Sequence, residues 1–358
     1  MLVLGIETSC DEASVAIVED GNRLLSMVTA SQIDVHQAYG GVVPEVAARE
    51  HIQAIISVVD QALKNANLKL KDVDAIAFTS GPGLIGSLLV GVQTAKALSL
   101  SLGIPIQPIH HVVGHIYANF ITKSDIKLKG DLPKRQPEFP MLGLIVSGGH
   151  TQLMLFEDHL KFKIIGRSID DSIGEAFDKT AKILNLPYPG GISVSKRAES
   201  GNPKAYNLPK PKTENPLDSS FSGLKTALLR TAQEAAGADF TLPSFEVASK
   251  LNDAQIDDLC ASFEDTATEY IVEKLSLATQ MYNPKSVVIG GGVAGSQKLR
   301  DAISQALSLE VEYAPAELCA DNGAMIAAAG YWAHELQPKI NPNGIRIEPN
   351  KRVFTAES

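Results

Sequence analysis

The chain reads as an α/β protein built from two related halves that face a cleft, with ligands held by the loops after strands. Three observations predict this. Strand-like and helix-like apolar periodicities alternate along most of the sequence. The order β-β-β-α-β-α-β-α occurs twice. Between the two runs, residues 122–140 are polar and proline-bearing, with Lys123, Lys127, Lys129, Lys134 and Arg135, and read as a linker or long surface loop.

In the first half, residues 2–8, 13–19 and 23–31 read as strands, the last two joined by the hairpin signal Asp20-Gly21-Asn22. Residues 44–65 form an apolar stripe of helical spacing with Pro44 in the first turn. A buried strand at 74–79, a helix at 83–102, a short strand at 104–108 and a histidine-bearing helix complete this half. The second half opens with strands at 141–146, 152–156 and 161–168, followed by a helix at 174–186. Residues 187–243, rich in Pro, Gly, Ser and Lys, read as an insertion with short helices. Then come a long amphipathic helix at 256–281, a strand at 286–289, a helix at 296–307, a strand at 310–313 and a final helix at 322–332. The expected division is 1–121, the linker 122–140, 141–335 with its insertion, and a polar tail 336–358.

A chain of 358 residues has room for two domains, and 44% hydrophobic against 20% charged residues is an ordinary composition that can bury a large core. The three cysteines, Cys10, Cys260 and Cys319, are far apart and form no CxxC, which argues against a disulfide framework or a cysteine-based zinc site. No signal or transit peptide is expected where residues 1–5 run straight into a strand, and no membrane span where no run of 18 apolar residues exists. A cytoplasmic protein is expected. The net charge of −9 makes a poor general nucleic-acid binder, because affinity for phosphate backbones comes from cations. A nucleic-acid partner would need a local basic patch or a helper protein.

The densest chemistry lies at Ile109-His110-His111-Val112-Val113-Gly114-His115. Residues four apart share a helix face, so His111 and His115 can present two imidazoles to one ion. The peptidase pattern H-E-x-x-H is absent, since Val112 stands where its glutamate would be. Asp321 precedes the final helix and is either an N-cap or a third metal ligand. Two histidines and a carboxylate with open positions suit Fe(II), with Zn(II) as the alternative.

Three glycine-bearing turns follow strands. Gly81-Pro82-Gly83-Leu84-Ile85-Gly86 matches a dinucleotide fingerprint but lacks the acid about 20 residues on, so a tight strand-to-helix turn fits it better. Ser147-Gly148-Gly149-His150-Thr151 offers backbone N–H groups and hydroxyls to an anion, or is a plain hairpin turn. Gly290-Gly291-Gly292 before a helix admits a flat ligand close to the backbone. Asp178 lies in the body of a helix and is a candidate to bind a hydroxyl.

These motifs occur together and in order: GIETSCDEASVAI, HQAYGGVVPEVAAREH, TSGPGLIGSLLVG, HVVGH, VSGGHTQL, IDDSIGEAFDKTAK, YPGG, VIGGGVA and CADNGAMIA. With them the sequence closely resembles the TsaD family of tRNA N6-adenosine threonylcarbamoyltransferases. The resemblance implies an actin-like ATPase (ASKHA) fold with two ribonuclease-H-like domains around a central cleft. It implies transfer of a threonylcarbamoyl group from threonylcarbamoyl-AMP to N6 of adenosine 37 in tRNAs that read codons beginning with A. It implies His111, His115 and Asp321 as ligands of one divalent metal per subunit, Fe(2+) before Zn(2+). Val146, Ser147, Gly148, Gly149, His150, Asp178, Gly191 and Ser296 would bind substrate. Ser296 stands where the family often carries Asn, and a serine hydroxyl reaches less far. Ser195 stands where some relatives carry an acid. Partners of TsaB and TsaE type are implied. Glu12 or Asp11 in the first turn is a candidate base, and Lys196, Arg197, Lys204, Lys210 and Lys212 join the linker cations as candidate tRNA contacts. The competing readings are a metal-dependent glycoprotease and a non-catalytic nucleotide-binding scaffold of the same fold.

Overall fold

A computed structural model describes residues 1–337 and 340–351. The first lobe begins with β1 (Leu2–Glu7), β2 (Glu12–Glu19) and β3 (Arg23–Ser31), an antiparallel meander. The β2–β3 hairpin turns where Asp20 and Gly21 take positive φ, as the sequence signal requires. Helices α1 (Ile33–Gln37) and α2 (Pro44–Asn65) lead to β4 (Ala75–Gly81), then α3 (Ile85–Leu102), β5 (Ile106–His110) and α4 (His111–Tyr117). A two-residue strand, β6 (Lys123–Ser124), pairs with β3 inside the segment expected to be loop. The sheet order is β5-β4-β1-β2-β3-β6, with β4 parallel to β1 and to β5.

The second lobe repeats the plan with β7 (Met141–Val146), β8 (Thr151–Asp158), β9 (Lys161–Arg167) and α5 (Ile173–Ile183). Helices α6 (Gly190–Ala198), α7 (Ser222–Ala235) and α8 (Ser244–Val247) precede the long α9 (Asp253–Tyr282). Then come β10 (Ser286–Gly290), α10 (Gln297–Ala306), α11 (Ala316–Cys319) and α12 (Gly323–Leu336). This sheet runs β10-β7-β8-β9, with β10 parallel to β7 as β4 is to β1.

The strand expected at 310–313 is not formed. Its two glutamates turn to the linker instead: the Lys134 backbone N–H donates to Glu312, and the Arg135 guanidinium lies 3.4 Å from Glu310 and 3.6 Å from Glu312. Part of the polar tail docks on the first lobe. Ile345 and Ile347 pack against the core between the first sheet and its outer helices.

Period-two alternation in β1 sends Leu4 and Ile6 to the core under α2 and α3, and Val3 to a second core on the other face. That second core continues through α4 and α12 into the second lobe. Helix α12 follows the second sheet in sequence but packs on β1, β2 and β4 of the first, while α4 touches β7 and β10. Close approach is possible because a Cβ on Gly5 would sit 2.2 Å from the Gly323 carbonyl oxygen. By length and composition α3 is apolar enough to cross a membrane, yet its Val92 and Ala95 lie in the first core.

Candidate functional site

Strand β5 runs directly into α4, every residue of which is buried. Its seven residues are too few to be stable alone, so tertiary packing holds the helix. A Cβ on Gly290 would lie 2.6 Å from the His115 carbonyl oxygen, so β10 and α4 touch backbone to backbone. On the other side Gly114 admits Ile326 of α12. Asn322 caps α12, accepting from the Met325 N–H at 2.9 Å. The cap is therefore Asn322 rather than Asp321, whose carboxylate is left to face α4.

Asp321 Oδ1 lies 3.2 Å from His115 Nε2 and 3.5 Å from His111 Nε2. The three donor atoms fall within 4.8 Å of one another. Ligands about 2.1 Å from a shared ion stand about 3–3.5 Å apart, so small adjustments would close the set. His115 Nε2 is buried and, despite the nearby carboxylate, lacks the geometry of a hydrogen bond. A buried imidazole nitrogen without a hydrogen-bond partner beside a carboxylate fits a metal ligand better than a structural histidine.

The opposite nitrogen of His111 is oriented by a set that sequence spacing did not reveal. His111 Nδ1 lies 3.1 Å from Glu7 Oε2 and 3.1 Å from Ser9 Oγ. Glu7 accepts from the Ser9 N–H at 2.6 Å and from the Thr79 hydroxyl. A carboxylate behind a ligating histidine fixes its tautomer and ring plane. The only hint in the sequence was an acid inside an apolar strand.

Burial opposes charge on His111, but Asp321 and Glu7 outweigh it and lift the imidazolium to about 9. Asp321 is held well below the carboxylate range: burial opposes ionisation, but His111 and His115 prevail. Glu12 is pushed up to about 8 by burial, then by Asp321, Asp11 and Glu7, which places it electrostatically beside the histidine–carboxylate set.

Val146 ends β7, and its carbonyl oxygen would be 2.4 Å from a Cβ on Gly291, so the two glycine turns are in contact. Ser147 N donates to the His150 carbonyl at 2.8 Å and His150 N to Ser147 Oγ at 3.1 Å, closing the turn. Gly148 and Gly149 have open space where side chains would stand. Burial, then His111 and His115, depress the His150 imidazole to about 4, so it is neutral at neutral pH. Asp178 accepts from the Gly190 N–H at 2.8 Å, and burial raises its carboxyl above the usual value. Gly191 beside it is open. The Ser296 hydroxyl caps α10 toward Leu299 N at 3.4 Å, and Ser195 donates to Glu264 at 2.5 Å.

Several candidate tRNA cations are already paired. Arg197 meets Asp253 at 3.0 Å, Lys204 meets Asp265 at 2.6 Å, and Lys210 meets Glu269 at 2.9 Å. The Gly81–Gly83 turn is covered by the tail, with Gly83 N donating to the Pro349 carbonyl at 3.1 Å. It is a packed turn rather than a phosphate cradle.

The family model for TsaD, tRNA N6-adenosine threonylcarbamoyltransferase, matches residues 23–328. The tRNA N6-adenosine threonylcarbamoyltransferase of Symbiobacterium thermophilum is 45% identical over 334 residues, covering 92% of this chain and 91% of that protein. That of Thermomicrobium roseum is 44% identical over 341 residues, covering 93% and 92%. Among solved structures, full-length HypF in its phosphate- and nucleotide-bound form superimposes with a TM-score of 0.57 at 13% identity, covering 94% of this chain and 55% of that one. Component A of the (R)-2-hydroxyglutaryl-CoA dehydratase of Acidaminococcus fermentans gives 0.50 at 18% identity, covering 92% and 98%. Identities this low speak to the fold alone, which is the actin-like ATPase fold with two mixed sheets.

Proposed function

The chain belongs to the TsaD family of tRNA N6-adenosine threonylcarbamoyltransferases, and from that premise we propose how its residues divide the work. The reaction is formation of N6-threonylcarbamoyladenosine at adenosine 37 of tRNA. The donor is threonylcarbamoyl-AMP, and the acceptors are tRNAs reading codons that begin with A. His111, His115 and Asp321 hold one divalent cation, Fe(2+) before Zn(2+). When bound, that ion polarises donor oxygens as a Lewis acid. The convergence of these three side chains from both parts of the chain is the observation that carries the assignment.

An exocyclic adenine amine is a poor nucleophile, because its lone pair is delocalised into the ring. Positioning and charge stabilisation must therefore supply the acceleration. The turn Val146-Ser147-Gly148-Gly149-His150 and Gly191 approach the donor by backbone, with Asp178 on a hydroxyl and Ser296 at the start of α10. In the transfer the N6–carbonyl bond forms and the bond from the carbonyl carbon to the phosphate oxygen breaks. AMP leaves, and the N6 proton passes to a base. Glu12, where the turn after β1 enters β2, takes that role. Proteins of TsaB and TsaE type assist an acidic chain in handling tRNA, and the site of action is the cytoplasm. A glycoprotease reading lacks its general base, because Val112 between the histidines is a buried aliphatic residue.

Single-turnover transfer onto tRNA with supplied threonylcarbamoyl-AMP tests the assignment. His111→Ala and Asp321→Ala abolish transfer while the far-ultraviolet spectrum and cooperative melting persist. Full modification by either purified, metal-free variant would contradict it.

A further inference from the structure

A cavity of 320 Å³ opens at the cleft end of the second sheet, against the outer side of the Ser147–His150 turn. Its lining includes His150, Gln152, Arg167, Ile169 and Asp170. Of the residues assigned to the donor, Gly149 and His150 line it, and the rest of its lining has no assigned role. Pockets of this size hold small organic ligands, a nucleoside among them.

Four features narrow the ligand. Gln152 on β8 and Arg167 on β9 are direct cross-strand partners, so their side chains share a face of the sheet. Gln152 Oε1 is buried and has no hydrogen-bond partner among the described residues. Such an acceptor is costly where it lies, and a turn of the amide toward the cavity would let a ligand there satisfy it. The Arg167 side chain is exposed and makes neither ion pair nor hydrogen bond among the described residues, unlike the paired cations on α6 and beyond. The acid beside it is occupied: Asp170 accepts from Ser220 Oγ at 2.5 Å and from the Phe221 N–H at 2.8 Å. Ile169, 61% exposed at the rim, offers an apolar face. His150 lines the cavity and also feels the charges of His111 and His115, so one side chain joins this cavity to the histidine–carboxylate set.

A carboxamide, an unpaired guanidinium and an apolar rim suit a nucleotide. Glutamine amides pair bidentately with adenine N6 and N7, and arginine with phosphate. Enzymes that act on a base turn it out of its stack into a pocket. We propose that this cavity is the acceptor subsite, receiving adenosine 37 turned out of the anticodon loop, with Gln152 on the adenine edge and Arg167 on a flanking phosphate. The proposal rests on the transferase reading above. The Gln152 oxygen takes one N6 hydrogen and its NH₂ donates to N7, leaving the second N6 hydrogen toward the donor side.

The test compares wild type, Gln152→Leu and Arg167→Ala in transfer to tRNA and in direct binding of threonylcarbamoyl-AMP. Gln152→Leu raises KM for tRNA by about tenfold or more, the loss of one bidentate base contact. Arg167→Ala weakens tRNA binding and lowers its salt dependence by about one unit of slope. Donor affinity stays at the wild-type value in both. A tRNA carrying 7-deazaadenosine at position 37 is impaired with wild type but suffers no further loss with Gln152→Leu, a coupling that a merely structural role would not produce. Unchanged KM for tRNA, an equal 7-deaza penalty in both proteins, or donor binding lost in step with tRNA binding would overturn the subsite. If wild type transfers nothing even with its TsaB- and TsaE-type partners supplied, the transferase reading fails instead.

Discussion

Glu7 is fully buried in an apolar strand, yet its carboxylate is occupied by the Ser9 N–H, the Thr79 hydroxyl and His111 Nδ1. Burial opposes its ionisation, but the His111 charge outweighs this and holds the carboxyl below its usual value. Glu7→Gln keeps the shape and removes the charge that fixes the His111 ring. It should weaken divalent-metal binding about 10–100-fold, the usual effect of losing such a partner, with a cooperative melt retained. Competition against a chromophoric chelator measures this; unchanged affinity would contradict the orienting role. His111 and His115 were legible as a pair because a helix places them on one face. Glu7 was not, because nothing in a sequence says that it meets a histidine 104 residues away. Ser296 shows the converse. Its position matches a contact in the family pattern, where Asn is usual, and its hydroxyl here caps its own helix.

The elements legible in the sequence were those long enough to show a period. The 22 residues of α2 and the 30 of α9 carry an apolar stripe, but α1 and α11, with five and four residues, complete too few turns to display one. The stretch 310–313 alternates like a strand, but its acids satisfy linker cations rather than a ladder. The tail read simply as polar because its apolar residues are scattered with no period, yet two of them, Ile345 and Ile347, pack on the first core. Behind them Glu348 N donates to the Ser80 carbonyl at 3.0 Å and the Lys351 carbonyl accepts from His110 at 3.2 Å, so the strap covers the ends of β4 and β5. A Cβ on Gly81 would stand 2.0 Å from the Glu348 carbonyl oxygen, which is why glycine is needed there. Ile347→Asp should detach the strap, costing about 1–2 kcal/mol of apolar burial. Thermal melting reads the loss, and hydrogen exchange at the Glu348 and Gly83 amides reads the detachment. Undiminished protection of both amides would show that the strap is held by its backbone bonds alone.

At the scale of the molecule, the doubled strand order made two sheets legible, and the family resemblance supplied the superfamily. What neither revealed is the exchange of helices. Helix α12 leaves the second sheet to pack on the first, and α4 leaves the first to touch β7 and β10. That exchange explains why a carboxylate some two hundred residues downstream reaches the two imidazoles. Gly5 and Gly323 permit it from one side and Gly290 from the other. The centre is therefore a property of the assembled lobes, not of either segment alone.

X-ray absorption fine structure at the metal edge, on protein loaded with one equivalent of Fe(II), tests this convergence most directly. The account predicts two imidazoles and carboxylate oxygen at about 2.0–2.2 Å, with one imidazole lost in His115→Ala. A shell of oxygen alone, or a spectrum that His115→Ala leaves unchanged, would contradict it.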